Sequence, residues 1–275
     1  MKKAIRLLVA NPFSWSILNF FYKIFNRFKF EKELIPIEIA NDLRKEKEDK
    51  LKQKFSDLTV RNGVFKGMRY PEFIAHGSSM FPKLLGSYES ELNTEFENLI
   101  KNKYTEVIDV GCAEGYYAVG IAMRMEKTKV FAFDVNTEAL DSCKKMARLN
   151  KVDDRMTYGS FFSDKDLSKF KFSGKGLVIC DCEGYEIELF TPASIANLKN
   201  CDILIELHDL YNEKITPTII KVFKESHTIR FVYSENTFLR LEKTGLRGDL
   251  TDEEVKDFFT ERNGIMQWAI ITSKL

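Results

Sequence analysis

The stretch EVIDVGCAEG, residues 106–115, decides the fold. It predicts a buried strand that runs into a turn of small residues and then into a helix. Small residues let the backbone approach a ligand, and the helix that follows offers its amino end. The order D-x-G-x-A-x-G differs from the G-x-G-x-x-G of dinucleotide-binding turns, and the early acid favours a cationic ligand over a pyrophosphate. The turn therefore predicts binding of a nucleoside that carries a positive group.

A second acidic residue supports this interpretation. Asp134 closes the next predicted strand, 19 residues after Gly115. A carboxylate at this place in a doubly wound sheet can accept both hydroxyls of a ribose. The two features together favour nucleoside binding over a purely structural turn.

Alternating strands and helices surround this unit. Apolar runs predict strands at 106–110, 129–134, 155–158, 177–182, 203–208, 228–234 and 267–272. Helical patterns and caps predict helices at 91–102, 115–126, 137–149, 185–198, 216–225 and 252–261. Seven strands separated by helices predict an α/β fold with a doubly wound, mostly parallel, Rossmann-like sheet.

Composition excludes several classes of protein. The chain has 275 residues, of which 44% are hydrophobic and 30% charged, and this excludes disordered and collagen-like proteins. Its 42 basic residues balance 41 acidic ones, so we expect no nucleic-acid partner. Five cysteines, an odd number, are typical of a reducing compartment, and we expect a cytoplasmic protein.

The amino-terminal stretch differs from the rest of the chain. Residues 1–30 carry six basic residues and no acid, and bulky apolar residues recur at helical spacing over 13–28. The uncharged run over 7–22 is shorter than the ~20 apolar residues of a spanning helix. Two interpretations of residues 11–30 stay open: peripheral contact with an anionic membrane at its inner face, or packing on the body or on a second subunit.

Charge density also divides the chain. Residues 41–57 interleave acids and bases as a solvated helix does, and residues 61–87 are rich in glycine and aromatic residues. We expect a helical extension over residues 1–60 and one α/β domain over residues 61–275, with loops and short strands leading into its sheet.

Polar residues lie at the ends of the fourth and fifth predicted strands. By strand alternation Asp181 shares a face with Glu183, and Glu206 shares a face with His208. If these strands are neighbours, the four side chains converge at the carboxyl edge of the sheet. His208 is then a candidate general base for a hydroxyl proton, with Asp181 or Glu206 orienting it. His76 and His227 have no comparable group of acidic residues beside them.

The same side chains allow a second interpretation. Asp181, Glu206 and His208 could together hold a divalent cation that binds two substrate oxygens. Carboxylate-rich sites favour Mg²⁺ or Mn²⁺ over zinc. We favour the metal-free interpretation and keep the metal-assisted one as the alternative.

The glycine turn and strand-end acid resemble those of the Rossmann-like, class I S-adenosylmethionine-dependent methyltransferases. The resemblance implies S-adenosylmethionine as the cofactor. Asp134 would hold its ribose, and Ser160 and Phe161 would contact its adenine. The turn would line the methionine end, so the predicted contacts also comprise Asp109, Gly111, Cys112, Ala113, Gly115 and the neighbouring Asp181.

Four segments resemble a narrower family, the FkbM-like methyltransferases. They are D-x-E-G-Y-E at 181–186, I-E-L-H at 205–208, L-G-S-Y-E-x-E-L at 85–92 and G-Y-Y-A at 115–118. The resemblance covers about residues 84–272 and implies O-methylation of a small-molecule or glycan acceptor, for example a sugar hydroxyl. Tyr185 and Tyr211 could shape the acceptor pocket by stacking. A non-catalytic scaffold with the same fold, recruited through the amino-terminal helix, is the remaining alternative.

Overall fold

A computed structural model describes residues 34–261 and 264–275 of the chain. The predicted helix over 13–28 lies outside the described residues. The chain divides between Ser56 and Asp57 into two compact units. The first unit contributes one described helix, α1 (Leu34–Lys54), and the second contains the sheet. The predicted boundary at residue 61 stays a prediction.

All seven predicted strands are present in the second unit. They are β1 (Glu106–Val110), β2 (Lys129–Phe133), β3 (Met156–Gly159), β4 (Gly176–Cys180), β5 (Cys201–Leu207), β6 (His227–Tyr233) and β7 (Gln267–Ser273). Their spatial order is β3-β2-β1-β4-β5-β7-β6. Among these strands, β7 runs antiparallel to both of its neighbours, β5 and β6, and the other four pairs are parallel. The predicted fold class, a mostly parallel α/β sheet, is confirmed.

Apolar residues on both faces explain the central strands. Every residue of β1, β4 and β5 is buried, as expected for parallel strands covered by helices on both sides. The sheet order reverses direction between β1 and β4, which pair in register from Glu106 and Gly176 onward. Ligands of open α/β sheets bind beyond the carboxyl ends of the strands at such a switch point.

The helices that flank the sheet follow the predictions with several corrections. They are α2 (Met80–Leu85), α3 (Asn93–Lys101), α4 (Tyr116–Arg124), α5 (Thr137–Leu149), α6 (Asp164–Lys169), α7 (Glu186–Leu189), α8 (Pro192–Asn197), α9 (Ile215–Phe223), α10 (Thr237–Lys243) and α11 (Asp252–Glu254). A π-helical turn, Val255–Phe259, continues α11. The prediction of one helix over 185–198 was wrong, because Thr191 and Pro192 start a new helix with a capping box. Helices α2, α6 and α10 were not predicted.

Candidate active site

The glycine turn after β1 has the backbone geometry that its sequence requires. Gly111, Ala113 and Gly115 have φ angles of 84°, 46° and 98°, in the left-handed region that glycine tolerates best. A Cβ atom on Gly111 would lie 1.7 Å from the carbonyl oxygen of Asp181. The turn therefore packs directly against the backbone that follows β4, and a side chain on Gly111 would separate the two.

Asp134 joins this turn to the end of β2. One carboxylate oxygen accepts a hydrogen bond of 2.8 Å from the backbone N–H of Ala113, and the other accepts one of 2.8 Å from Asn136. These bonds fix the carboxylate, and each oxygen retains acceptor capacity. The arrangement fits the predicted contact with ribose hydroxyls.

A cavity of about 900 Å³ opens at the carboxyl edge of the sheet. Its walls contain all three predicted catalytic residues and most of the predicted cofactor contacts. The predicted residues that line it are Gly111, Cys112, Ala113, Asp134, Ser160, Phe161, Asp181, Glu206 and His208. Gly115 and Asp109 do not line it, so neither is placed to contact a ligand there. Gly115 instead ends the turn at the start of α4.

Asp109 lies behind the turn as a buried acid. Its side chain is 1% exposed, and its Oδ2 atom has no hydrogen-bonding partner among the described residues. Burial, together with the negative charges of Asp181 and Asp134, raises the pKa of this carboxyl group to about 8. Asp109 thus adds an acid of raised pKa behind the part of the turn that faces the cavity.

His208 lies directly after β5 and is surrounded by carboxylates. Its Nδ1 is 2.6 Å from Oε1 of Glu186, the first residue of α7. Its Nε2 is 3.5 Å from Asp181 Oδ1, 3.6 Å from Glu206 Oε2 and 4.0 Å from Glu183 Oε2. The predicted convergence therefore occurs, because β4 and β5 are neighbours.

The partner that binds His208 through a hydrogen bond differs from the prediction. Asp181 and Glu206 lie near Nε2, whereas Glu186 contacts Nδ1. Glu186 was missed because it belongs to a helix, and strand alternation says nothing about its direction. Its signal in the sequence is the last letter of D-x-E-G-Y-E, a carboxylate at the start of a helix that follows the strand end.

Electrostatics of the cluster set the protonation of His208. Burial lowers the pKa of its imidazole, but the hydrogen bond to Glu186 and the charges of Asp181, Glu186 and Glu183 outweigh burial. The net result is a pKa above its ordinary value. The imidazole is therefore easier to protonate than a free histidine, and its protonated form is stabilised.

The cluster also has the composition of a cation site. One ligand atom each from Asp181, Glu206 and His208 lies within 4.8 Å of the others. Carboxylate and imidazole ligands are compatible with Mg²⁺ or Mn²⁺. The same Nε2 atom cannot both bind a cation and accept a proton, so the metal site and the general base exclude each other.

Aromatic residues border the cluster on the cavity side. The Tyr211 ring stacks on the His208 ring at a centroid distance of 5.8 Å and an angle of 28°. Tyr185 and Tyr88 also line the cavity, and Glu89 lies buried next to Tyr88 in the chain. Aromatic faces thus form part of the cavity wall.

Two further residues of the cavity wall, Lys83 and Glu261, were not predicted. Lys83 belongs to α2, which the sequence analysis took for loops and short strands, and Glu261 follows the π-helical turn. Burial raises the pKa of Glu261 to about 8, despite the nearby positive charge of Arg240. Both residues are distant in sequence from the strand ends, where sequence reasoning placed the site.

Residues 93–173 match the family model described as methyltransferase small domain. The match includes the glycine turn, Asp134 and the loop that carries Ser160. It confirms the predicted enzyme class, an S-adenosylmethionine-dependent methyltransferase. The cofactor implied by this fold agrees with the cradle that the turn and Asp134 form. A comparison with curated protein sequences finds no match.

Solved structures with a similar fold are distant in sequence. A putative O-methyltransferase from Klebsiella pneumoniae is 9% identical, with 66% of this chain and 79% of that chain covered and a TM-score of 0.45. Precorrin-6y C5,15-methyltransferase from Geobacter metallireducens GS-15 is 13% identical, with 67% of this chain and 88% of that chain covered and a TM-score of 0.48. A putative rRNA-methylase from Clostridium thermocellum is 12% identical, with 66% of this chain and 97% of that chain covered and a TM-score of 0.46. We take neither substrate nor residue roles from these similarities.

Proposed function

We propose that this protein is an O-methyltransferase in which His208 is the general base and the acceptor is a hydroxyl of a sugar or glycan. One observation carries the proposal: His208 lies in the cavity wall with its Nδ1 bound to Glu186 and its Nε2 among Asp181 and Glu206. This arrangement is typical of a histidine that accepts a proton and is stabilised once charged.

The cofactor half of the site consists of the glycine turn and the end of β2. Gly111, Cys112 and Ala113 would hold the methionine end, Asp134 the ribose hydroxyls, and Ser160 and Phe161 the adenine. When bound, S-adenosylmethionine supplies an electrophilic methyl group on a sulfonium. The carboxylates of the cavity wall suit a ligand with this positive charge.

The acceptor half consists of His208 and its carboxylates. Nε2 takes the hydroxyl proton as the acceptor oxygen becomes methylated, and Asp181 and Glu206 stabilise the imidazolium that forms. Glu186 accepts a hydrogen bond from Nδ1–H of His208 and so fixes the tautomer in which Nε2 is the acceptor. Tyr185 and Tyr211 offer faces on which a sugar ring can stack.

Cofactor binding is the first test of this proposal. Calorimetric titration with S-adenosylhomocysteine should give micromolar binding to the wild type, and Asp134→Ala should weaken it strongly, because the ribose loses its acceptor. Asp141→Ala, an exposed acid on α5, is the matched control. Failure of the wild type to bind would favour the scaffold alternative.

Methyl transfer is the second test. The enzyme is incubated with S-adenosylmethionine labelled with ¹³C in its methyl group and with a panel of methyl glycosides and simple amines. A new O-methyl resonance with a glycoside supports the proposal. Transfer to amines alone would contradict O-methylation.

A metal-assisted O-methyltransferase is the second candidate function, favoured by the proximity of Asp181, Glu206 and His208. EDTA distinguishes the two candidates. Activity that EDTA abolishes and Mg²⁺ or Mn²⁺ restores would support the metal. Activity that EDTA leaves unchanged would support His208 as the base.

The amino-terminal stretch suggests where the acceptor is found. None of the helices in the described residues is long and apolar enough to cross a membrane. The basic, phenylalanine-rich residues 1–30 support peripheral contact with the inner face of a membrane, and a lipid-linked glycan would be a suitable acceptor. Flotation with anionic vesicles should separate the full chain from a chain without these residues, and equal behaviour would contradict membrane contact.

A further inference from the structure

Lys83 is the one lysine or arginine among the described residues that line the cavity. It belongs to α2 and is only 3% exposed. Burying an ammonium group is costly unless partners compensate it. A buried cation in a wall that otherwise carries several carboxylates therefore requires an explanation.

Part of that explanation lies in the partners of Lys83. Its Nζ donates to Glu114 Oε1 and, at 2.7 Å, to Ser78 Oγ. Glu114 belongs to the glycine turn, and its other carboxylate oxygen accepts a bond of 2.9 Å from the backbone N–H of His76. These contacts attach the segment from His76 to Lys83 to the turn, at the end of the cavity that the methionine part of the cofactor would occupy.

The third N–H bond of Lys83 has no oxygen acceptor among the described residues. Its Nζ lies 4.7 Å from the centre of the Tyr88 ring and 5.3 Å from that of Tyr116. Aromatic faces attract a cation, but less strongly than a carboxylate bound through a charge-assisted hydrogen bond. Lys83 is thus a buried, oriented donor with one donor position available in a cavity wall.

The chemistry of the cofactor supplies the matching acceptor. S-adenosylmethionine carries three charged groups, a sulfonium, an ammonium and a carboxylate, and only the carboxylate attracts the positive charge of a lysine. We propose that Lys83 Nζ binds the α-carboxylate of the cofactor and thereby distinguishes it from nucleosides that lack the amino-acid part. The inference rests on the proposed function, because it assumes that this cavity binds the cofactor.

The test compares two ligands that differ in the amino-acid part. S-adenosylhomocysteine contains the carboxylate, whereas 5′-methylthioadenosine contains the nucleoside and thioether without it. Calorimetry on the full chain should show that Lys83→Met weakens S-adenosylhomocysteine by about 10- to 100-fold and leaves 5′-methylthioadenosine within about twofold. The exposed Lys127→Met should change neither affinity.

A second variant controls for misfolding of Lys83→Met. Lys83→Met leaves the buried Glu114 without its ion-pair partner, so Lys83→Met/Glu114→Gln removes both charges together. The double variant should show the same selective loss. Equal weakening of both ligands in both variants, or unchanged affinity for S-adenosylhomocysteine, would overturn the inference alone. A wild type that binds 5′-methylthioadenosine but not S-adenosylhomocysteine would also overturn it, whereas a wild type that binds neither would overturn the proposed function itself.

Discussion

Two buried histidines lie at opposite edges of the same sheet and have opposite environments. His208 follows β5 at the carboxyl edge, with carboxylates around both ring nitrogens, and its pKa is raised. His227 begins β6 at the other edge, where Nε2 lies 3.1 Å from the Cys201 carbonyl oxygen and 3.2 Å from that of Leu198. Burial lowers the pKa of His227. The partners, rather than burial itself, decide which histidine can exchange a proton near neutral pH.

The buried acids of the two edges differ in the same way. Asp202, at the edge of His227, accepts hydrogen bonds from Tyr104 Oη at 2.6 Å and from the Ser273 N–H at 3.0 Å, and it pairs with Lys175 at 2.7 Å. Asp109, near the cavity, has one oxygen without a hydrogen-bonding partner in the described part of the chain. The acid at one edge is satisfied by the fold, whereas the acid at the other keeps an oxygen without a partner in the described part of the chain.

The largest effect is expected at His208. His208→Ala should lower turnover by about 10²- to 10⁴-fold at neutral pH, because the acceptor loses its general base. His208→Asn, whose amide nitrogen takes the place of Nδ1 and can still donate to Glu186, should show a similar loss with native thermal stability. Both are measured as S-adenosylhomocysteine release with a glycoside acceptor. Full turnover in the Asn variant would exclude His208 as the base.

His227 should show the reverse behaviour. His227→Ala removes a buried ring and its hydrogen bonds to Leu198 and Cys201, so we expect the free energy of unfolding to fall by about 2–4 kcal/mol. Turnover of the folded enzyme should change less than about twofold. Urea denaturation and turnover on the same sample measure both, and a catalytic defect without loss of stability would remove the contrast between the two edges.

Glu186→Gln should reduce the difference between the pKa values of His208 and His227, because it removes the carboxylate that is bonded to the His208 ring. A raised pKa keeps His208 protonated, and therefore inactive as a base, at low pH, so wild-type turnover should rise as pH increases through that pKa. Removing the Glu186 charge lowers the pKa, and the acid limb of the pH–rate profile should move to lower pH. Loss of imidazolium stabilisation should also reduce the plateau by about tenfold. An unshifted limb would argue against the Glu186 contact.

At Asp109 the expected effect is on the pH dependence of stability. An acid whose pKa is raised from 3.8 to about 8 on folding contributes stability that is present at low pH and is lost as pH rises through this range. The side chain of Asn in Asp109→Asn cannot titrate, so the melting temperature of this variant relative to wild type should rise between pH 5 and pH 8. The rise should be about 2–4 °C for each kcal/mol of unfolding free energy that the wild type loses. A difference independent of pH would contradict the raised pKa.

The sequence predicted most of the fold because its central strands are mostly apolar. The runs in β1, β4 and β5 have no competing helical interpretation, and their places in the chain were predicted to within two residues. The helix boundaries were weaker where local chemistry intervenes. Pro192 divides one predicted helix into two, and a π-helical turn, Val255–Phe259, replaces the middle of the predicted helix at 252–261.

For the site, the sequence by itself determined the glycine turn, Asp134 and the acids at the ends of β4 and β5, because these residues lie at strand ends whose position the apolar pattern fixes. Only the tertiary structure decided that Glu186 binds Nδ1 of His208 and that Lys83 reaches Glu114. Both contacts join a helix residue to a distant segment, over 22 and 31 positions of the chain. Such contacts depend on how helices pack against the sheet, and no periodicity along the chain encodes that packing.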